Sequence, residues 1–233
     1  MRTFSADIER MEDCEAILEY VYYFCREEGA AWFSYHFTPI FESPTSHNAF
    51  IWARGYPLDL QKKYFGEGYR QIDPVPRLTL EHGHILTWRK AMQLAKGDPT
   101  AKRYIEEFGI ENWAGFALYG PRNRDAFAAL TFLEDPELFE EGRLAHLHTL
   151  LQTAHLQICK VMDNAEPEVI LSTREREVLT WMGRGKSATE TAEILNISPE
   201  TVKTYVKRVY EKLEANDRVT ATVRALKLGL VKL

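Results

Sequence analysis

Residues 171–233 read LSTREREVLTWMGRGKSATETAEILNISPETVKTYVKRVYEKLEANDRVTATVRALKLGLVKL, and three helix starts in this stretch are written in capping chemistry. Ser172 and Glu175 have the spacing of a capping box: the hydroxyl accepts from the amide of Glu175 and the carboxylate reaches back. Ser187 and Glu190 repeat it. Gly183 and Gly185 lie between the two, where a helix ends in a left-handed residue. Ser198-Pro199 supplies an N-cap followed by proline at the first helical position, where the missing amide costs nothing. Asn196-Ile197 leaves only a short turn before this last helix.

The period of the helix after Ser198 separates its faces. Val202, Val206, Val209 and Leu213 form an apolar stripe that should pack on the preceding helices. Lys203 and Lys207 share another face, flanked by Thr201, Thr204 and Arg208. Short hydroxyls beside long cations suit a helix whose N-terminal half enters a major groove. A solvated basic face is the alternative for any single helix; the preceding helix, tight turn and Ser-Pro start favour recognition.

Several residues here make the segment resemble the DNA-binding domain of the LuxR/GerE family: Thr173–Leu179, Gly185-Lys186-Ser187, Glu190, Ala192, Ile197-Ser198, Thr201-Val202-Lys203, Lys212-Leu213 and Leu228-Gly229-Leu230. The resemblance implies an all-α, four-helix helix-turn-helix domain over residues 171–233. It covers roughly the last quarter of the chain. Tyr205 departs from the histidine the family often has, which points to an altered phosphate-side contact rather than an altered fold.

With 233 residues, 45% of them hydrophobic, the chain is long enough for two cores. The net charge of -5 suits a DNA binder only once it is divided. From Glu166 onward there are 12 Lys and Arg against 10 Asp and Glu, leaving 17 against 24 in the remainder. Phosphate binding needs local positive potential, not a basic whole chain. Cys14, Cys25 and Cys159 have no metal-ligand spacing and read as free thiols in a reducing compartment. No signal peptide or bilayer-spanning run is legible, so a soluble, cytoplasmic protein with no membrane partner is expected.

Residues 1–163 read as alternating helices and strands, before a Pro- and acid-containing linker at 164–170. Helices are expected at Ile8–Glu28, Leu58–Phe65, Thr100–Phe108 and Pro136–Met162. Strands are expected at Ala30–Phe37, Asn48–Ala53, Ile85–Trp88, Trp113–Tyr119 and Phe127–Leu133. The order suggests an α/β/α sandwich on an antiparallel sheet, and an α+β class for the chain. Leu144, Leu147, Leu151 and Ile158 on the last helix have two readings, a dimer surface or a core-packing stripe.

Tyr56-Pro57, Tyr64, Tyr69, Ile72-Asp73-Pro74-Val75, Trp88, Gly115 and Thr131 together resemble, in order and spacing, the autoinducer-binding domain of the LuxR quorum-sensing receptors. The resemblance implies a small-molecule autoinducer of the N-acyl-homoserine lactone type and no other cofactor. It also gives Asp73 the role of accepting the ligand amide N–H. Tyr56 and Thr131 are the candidates to meet the amide carbonyl, and Tyr64 and Trp88 would cover the lactone and apolar chain. Asp73 before proline can equally be an extended turn residue.

Family members usually carry a tryptophan donor four residues before Tyr64, where this chain has Leu60. Leucine cannot meet a lactone carbonyl, so the pocket either orients a lactone through Asp73 and Tyr56 or takes a different head group. Trp52, Trp113, Phe116 and Phe132 read as core. His82, His84, His146, His148 and His155 form no metal site and read as solvated or capping.

No phosphate loop, nucleophile elbow or activated cysteine motif is legible, so an enzyme finds no support. A phosphorylated response regulator is set aside because Glu12-Asp13 sits in a helical pattern with no strand before it. The expectation is a homodimeric transcription factor that binds a double-stranded operator with dyad symmetry, and RNA polymerase if it activates. The alternative is a regulator of the same build that answers a non-lactone ligand or none.

Overall fold

The computed structural model describes residues 4–37, 50–165 and 169–231. The chain divides into two compact units, Met1–Gly120 with Arg124–Asn164, and Pro121–Asn123 with Ala165–Leu233.

The first unit runs α1 (Phe4–Ile8), α2 (Cys14–Glu27), β1 (Ala30–Phe37), β2 (Phe50–Arg54), α3 (Leu58–Gly66), α4 (Tyr69–Ile72), α5 (Val75–His82), β3 (Ile85–Thr87), α6 (Trp88–Leu94), α7 (Pro99–Phe108), β4 (Trp113–Leu118), β5 (Ala126–Phe132) and α8 (Arg143–Ala165). Its strands form one antiparallel sheet in the order β2-β1-β5-β4-β3.

Two-residue alternation divides this sheet into faces. Phe33, Tyr35 and Phe37 of β1, Phe116 and Leu118 of β4, and Leu130 and Phe132 of β5 pack with Ile17, Leu18 and Val21 of α2 and Leu147, Leu151 and Ile158 of α8. Each large apolar side chain buried this way contributes about 1.5–3 kcal/mol. The intervening residues face the other way, where Leu86, Ala91, Tyr104, Ile105, Ile110 and Trp113 form a second core. The result is the expected α/β/α sandwich. Gly115 allows this second layer to approach: a Cβ there would lie 2.7 Å from the Phe127 ring and 2.8 Å from Thr79 Oγ1.

Two expectations change and one open reading is settled. The first long helix starts later than expected, at Cys14 rather than Ile8, because the Asp13 carboxylate caps α2 by accepting from Ala16 N at 2.7 Å; Ile8 instead ends α1. Asp13 is thereby a capping residue. The last helix begins at Arg143 rather than Pro136; Pro136–Leu138 is a single 3₁₀ turn capped by Asp135, and Gly142 adopts φ +88. Lastly, the α8 stripe is core: Leu147, Leu151 and Ile158 are 0–2% exposed, and Leu144 packs against the same cluster. It offers no free dimer surface. The short helices α4, α5 and α6 were not anticipated, since four to eight residues carry too few apolar positions to show a period.

His155 is fully buried rather than solvated, its ring bridging Tyr35 Oη at 2.7 Å and Arg124 O at 2.8 Å. Burial lowers its pKa to about 4, so it links helix to sheet as a neutral ring. Cys25 and Cys159 are buried free thiols, pushed up to about 12 by burial, and Cys14 is half-buried.

The second unit holds α9 (Thr173–Gly183), α10 (Ala188–Leu195), α11 (Pro199–Lys212) and α12 (Arg218–Lys227). Both capping boxes form, at Ser172/Glu175 and Ser187/Glu190. Ser198 caps α11 by accepting from Thr201 N at 3.1 Å. Left-handed positions are Gly185 at φ +90, Asn196 at φ +52, Glu214 at φ +50 and Gly229 at φ +65. Leu179, Met182, Val209, Leu213, Ala221 and Ala225 fill the core, and Leu171 belongs to it. Residues 166–168 of the expected linker lie outside the described residues, and its first two residues end α8. Among the described residues no helix is long and apolar enough to cross a membrane, and no group of His, Cys, Asp and Glu is placed to hold a metal.

Candidate functional site

The face of the sheet turned away from α2 and α8 is one wall of a cavity. The cavity volume is about 100 Å³, and part of it opens to solvent. Ser34 and His36 enter from β1, Ile51 and Ala53 from β2, Phe127, Ala129 and Thr131 from β5, and Trp113 from β4. Leu60, Gln61, Tyr64 and Phe65 of α3 face them, with Tyr56 and Asp73 at either end of that helical segment, and Tyr104, Ile105 and Phe108 of α7 close the side.

Five of the six expected ligand residues, Tyr56, Leu60, Tyr64, Asp73 and Thr131, therefore line one cavity. Trp88 is not among the lining residues. The Thr87 hydroxyl caps α6 by accepting from Lys90 N, ending the strand one residue early, and Trp88 packs half-buried against the second core. Trp52, Phe116 and Phe132 are core as expected, whereas Trp113 serves both the core and the cavity wall.

Asp73 is the extended turn residue that the following proline allows, and it also lines the cavity. It is extended at φ -65 and ψ 110, and its Oδ1 accepts from Val75 N at 2.9 Å to start α5. Its Oδ2 accepts from the Tyr64 hydroxyl at 3.0 Å inside the cavity wall. Burial raises the carboxyl to about 6, against the opposing pull of these two donors. An ionised carboxylate has about four acceptor positions, so two stay open to a ligand donor.

Tyr56 reaches Ser34 Oγ at 3.4 Å, and Ser34 Oγ lies 3.2 Å from His36 Nε2. Burial, aided by the Arg70 charge, lowers His36 to about 3, leaving a neutral ring edge-on to Phe127 at 5.1 Å. Thr131 Oγ1 and the Tyr104 hydroxyl are buried with no hydrogen-bond partner among the described residues. Ser34, His36 and Tyr104 were missed in the sequence reading. The polar positions alternating with Phe33, Tyr35 and Phe37 were a legible signal for the first two; nothing local marked Tyr104.

In the second unit α11 presents Lys203, Thr204, Lys207 and Arg208 to solvent, with Thr201 half-buried. Lys203 pairs with Glu200 at 2.7 Å and Lys207 with Glu211 at 4.0 Å. Such exposed pairs are worth about 0–1 kcal/mol and yield readily to phosphate or base. Thr201 shares a hydrogen bond with Ser198 at 2.8 Å, and the Thr204 hydroxyl donates to Glu200 O at 3.0 Å. Arg208 lies 5.9 Å over the Tyr205 ring, which packs on the small core of Val178, Ala192 and Val202.

A pocket-bearing sheet domain joined to a helix-turn-helix unit defines a ligand-responsive DNA-binding regulator. Sequence comparison makes the assignment specific. The family described as "Autoinducer binding domain" matches residues 13–158, and "Bacterial regulatory proteins, luxR family" matches residues 169–225. The chain is 32% identical to the HTH-type quorum sensing-dependent transcriptional regulator RpaR of Rhodopseudomonas palustris, over 78% of this chain and 75% of that protein. It is 31% identical to the transcriptional activator protein SolR of Ralstonia solanacearum, over 76% of each. The fold matches Escherichia coli SdiA with a TM-score of 0.72 and 21% identity, covering 97% of this chain and 95% of that one. A second SdiA structure, in complex with octanoyl-rac-glycerol, matches equally well. This chain belongs to the LuxR family of bacterial transcriptional regulators and carries its autoinducer-binding and DNA-binding domains.

Proposed function

We propose that this protein is a quorum-sensing transcription factor that binds an N-acyl-homoserine lactone and, as a homodimer, reads an operator with dyad symmetry. The observation that carries the reading is the cavity beside the sheet. Its walls are apolar at Ile51, Ala53, Leu60, Ile105, Ile110 and Phe127, and polar at Tyr56, Tyr64, Asp73 and Thr131. An acyl-homoserine lactone has matching parts: an apolar tail, an amide N–H for Asp73, and an amide carbonyl for Tyr56 or Thr131. Trp88 packs against the second core outside the cavity lining. Ligand bound only to the folded state stabilises it by mass action, which couples signal to the amount of competent regulator.

On DNA, Lys203, Thr204, Lys207 and Arg208 of α11 face the major groove with Thr201 at its start, and two copies address the two half-sites. The protein acts in the cytoplasm, as a regulator rather than an enzyme, and contacts RNA polymerase if it activates.

Leu60 favours a second reading, in which the head group is not a lactone. It lies in the cavity wall and offers no donor. SdiA bound to octanoyl-rac-glycerol is a relative in fold holding an acyl chain on a non-lactone head. The test is thermal stabilisation of the purified chain by acyl-homoserine lactones of varied tail, beside acylglycerols. Stabilisation by a lactone supports the first reading. Stabilisation by acylglycerol alone supports the second, and indifference to all of them rejects both.

A further inference from the structure

We propose that the Tyr104 hydroxyl is the donor that recognises the head group of the bound signal, pairing with a carbonyl oxygen there. The proposal rests on the reading that the cavity takes an acylated signal. Tyr104 stands on α7, is 5% exposed, and lines the cavity. Its hydroxyl has no hydrogen-bond partner among the described residues.

Ser34, His36, Tyr56, Tyr64 and Asp73, which line the same cavity, are engaged. Tyr64 donates to Asp73, Asp73 accepts on both oxygens, and Tyr56 and His36 both reach the Ser34 hydroxyl. Thr131, also buried without a partner, stands on β5 and lines the same cavity. A buried hydroxyl without a partner has lost water and gained nothing, and a ligand acceptor repays that loss.

The ring is held so that the hydroxyl keeps its direction. Tyr104 stacks on Phe108 with centroids 5.7 Å apart and planes 11° apart, and Tyr69 lies 5.5 Å away. Burial and the Asp73 charge raise its pKa, so the phenol stays protonated and able to donate. Asp73 only accepts when ionised, so the pair presents one acceptor and one donor. A ligand with an N–H and a carbonyl answers both. Leu60 supplies no donor to the same wall, which leaves this task to Tyr104.

The test uses the full chain and its Tyr104→Phe variant with two probes: N-octanoyl-L-homoserine lactone, and N-octanoylcyclopentylamine, which keeps the tail and amide but lacks the lactone ester. The wild type is expected to bind the lactone about tenfold or more tightly than the cyclopentyl amide. Tyr104→Phe should bring the two within about twofold of each other, with the unliganded melting temperature unchanged or raised because an unpaired polar group is gone. A variant that keeps the lactone preference overturns the proposal, as does a wild type that binds both probes equally. In either case the signal-binding reading survives, because ligand still binds. A wild type that binds neither probe overturns both.

Discussion

The Tyr64 hydroxyl donates to Asp73 Oδ2 at 3.0 Å while Val75 N donates to Oδ1 at 2.9 Å. One carboxylate thus ties α3 to the start of α5 and faces the cavity with its remaining acceptor capacity. The local fold and the cavity lining converge on this side chain.

Asp73→Asn separates the two. The amide oxygen can still cap Val75 N, but an NH₂ group replaces the acceptor offered to Tyr64 and to a ligand N–H. Ligand affinity should fall by about 10- to 100-fold, as for loss of a charge-assisted hydrogen bond. Operator binding by ligand-saturated protein should persist. Isothermal titration with the best-binding lactone checks it, and an unchanged affinity refutes the ligand role.

The raised Asp73 pKa of about 6 sets a pH signature. The folded protein holds this proton more tightly than the unfolded chain, whose ordinary value is 3.8. The stabilisation from Asp73 protonation is therefore fully present below about pH 4 and lost as pH rises through about 6. His36 and His155, held near 3 and 4 against an ordinary 6.5, cost stability as pH falls across the same window and the unfolded imidazoles protonate, but this contribution is common to both proteins and cancels between them. Denaturant melts of the wild type and Asp73→Asn should show the wild type gaining on the variant between pH 7 and pH 5. Ligand affinity should move the opposite way, because the ionised carboxylate is the better acceptor. A pH-independent difference between the two proteins would contradict the assignment.

Leu60→Trp places an indole N–H in the cavity wall. If a lactone carbonyl lies within its reach, affinity for an ordinary acyl-homoserine lactone should rise about tenfold, the worth of one added hydrogen bond. Weaker binding would mean that the larger ring occupies space the head group needs.

Lys203→Ala and Lys207→Ala test the recognition face. If these lysines contact base edges, each change should cost about 1–3 kcal/mol on the operator and much less on unrelated DNA. Equal losses on every sequence, with a shallower salt dependence, would make them phosphate contacts. Competition binding against a scrambled duplex separates the two.

Gly115→Ala tests the packing of the second layer. The added methyl would lie 2.7 Å from Phe127 and 2.8 Å from Thr79, and overpacking of this kind costs about 1–3 kcal/mol. A lower melting temperature of the first unit is expected. No change would show that α5 moves aside freely.

Sequence alone determined the C-terminal domain almost residue by residue. Ser172, Glu175, Ser187, Glu190 and Ser198 cap the helices that their spacing announces, because capping is a bond between residues three apart. The strands were legible for a similar reason: alternation between faces is local. The strand order β2-β1-β5-β4-β3 rests on pairings distant in the chain, and only the folded sheet decides it. Tertiary structure likewise decided that the α8 stripe is core, that Trp88 packs on the second core outside the cavity lining, and that Tyr104 joins Asp73 in that lining. A cavity is a shape made by side chains far apart in sequence. No period or motif records which hydroxyl is left there without a partner.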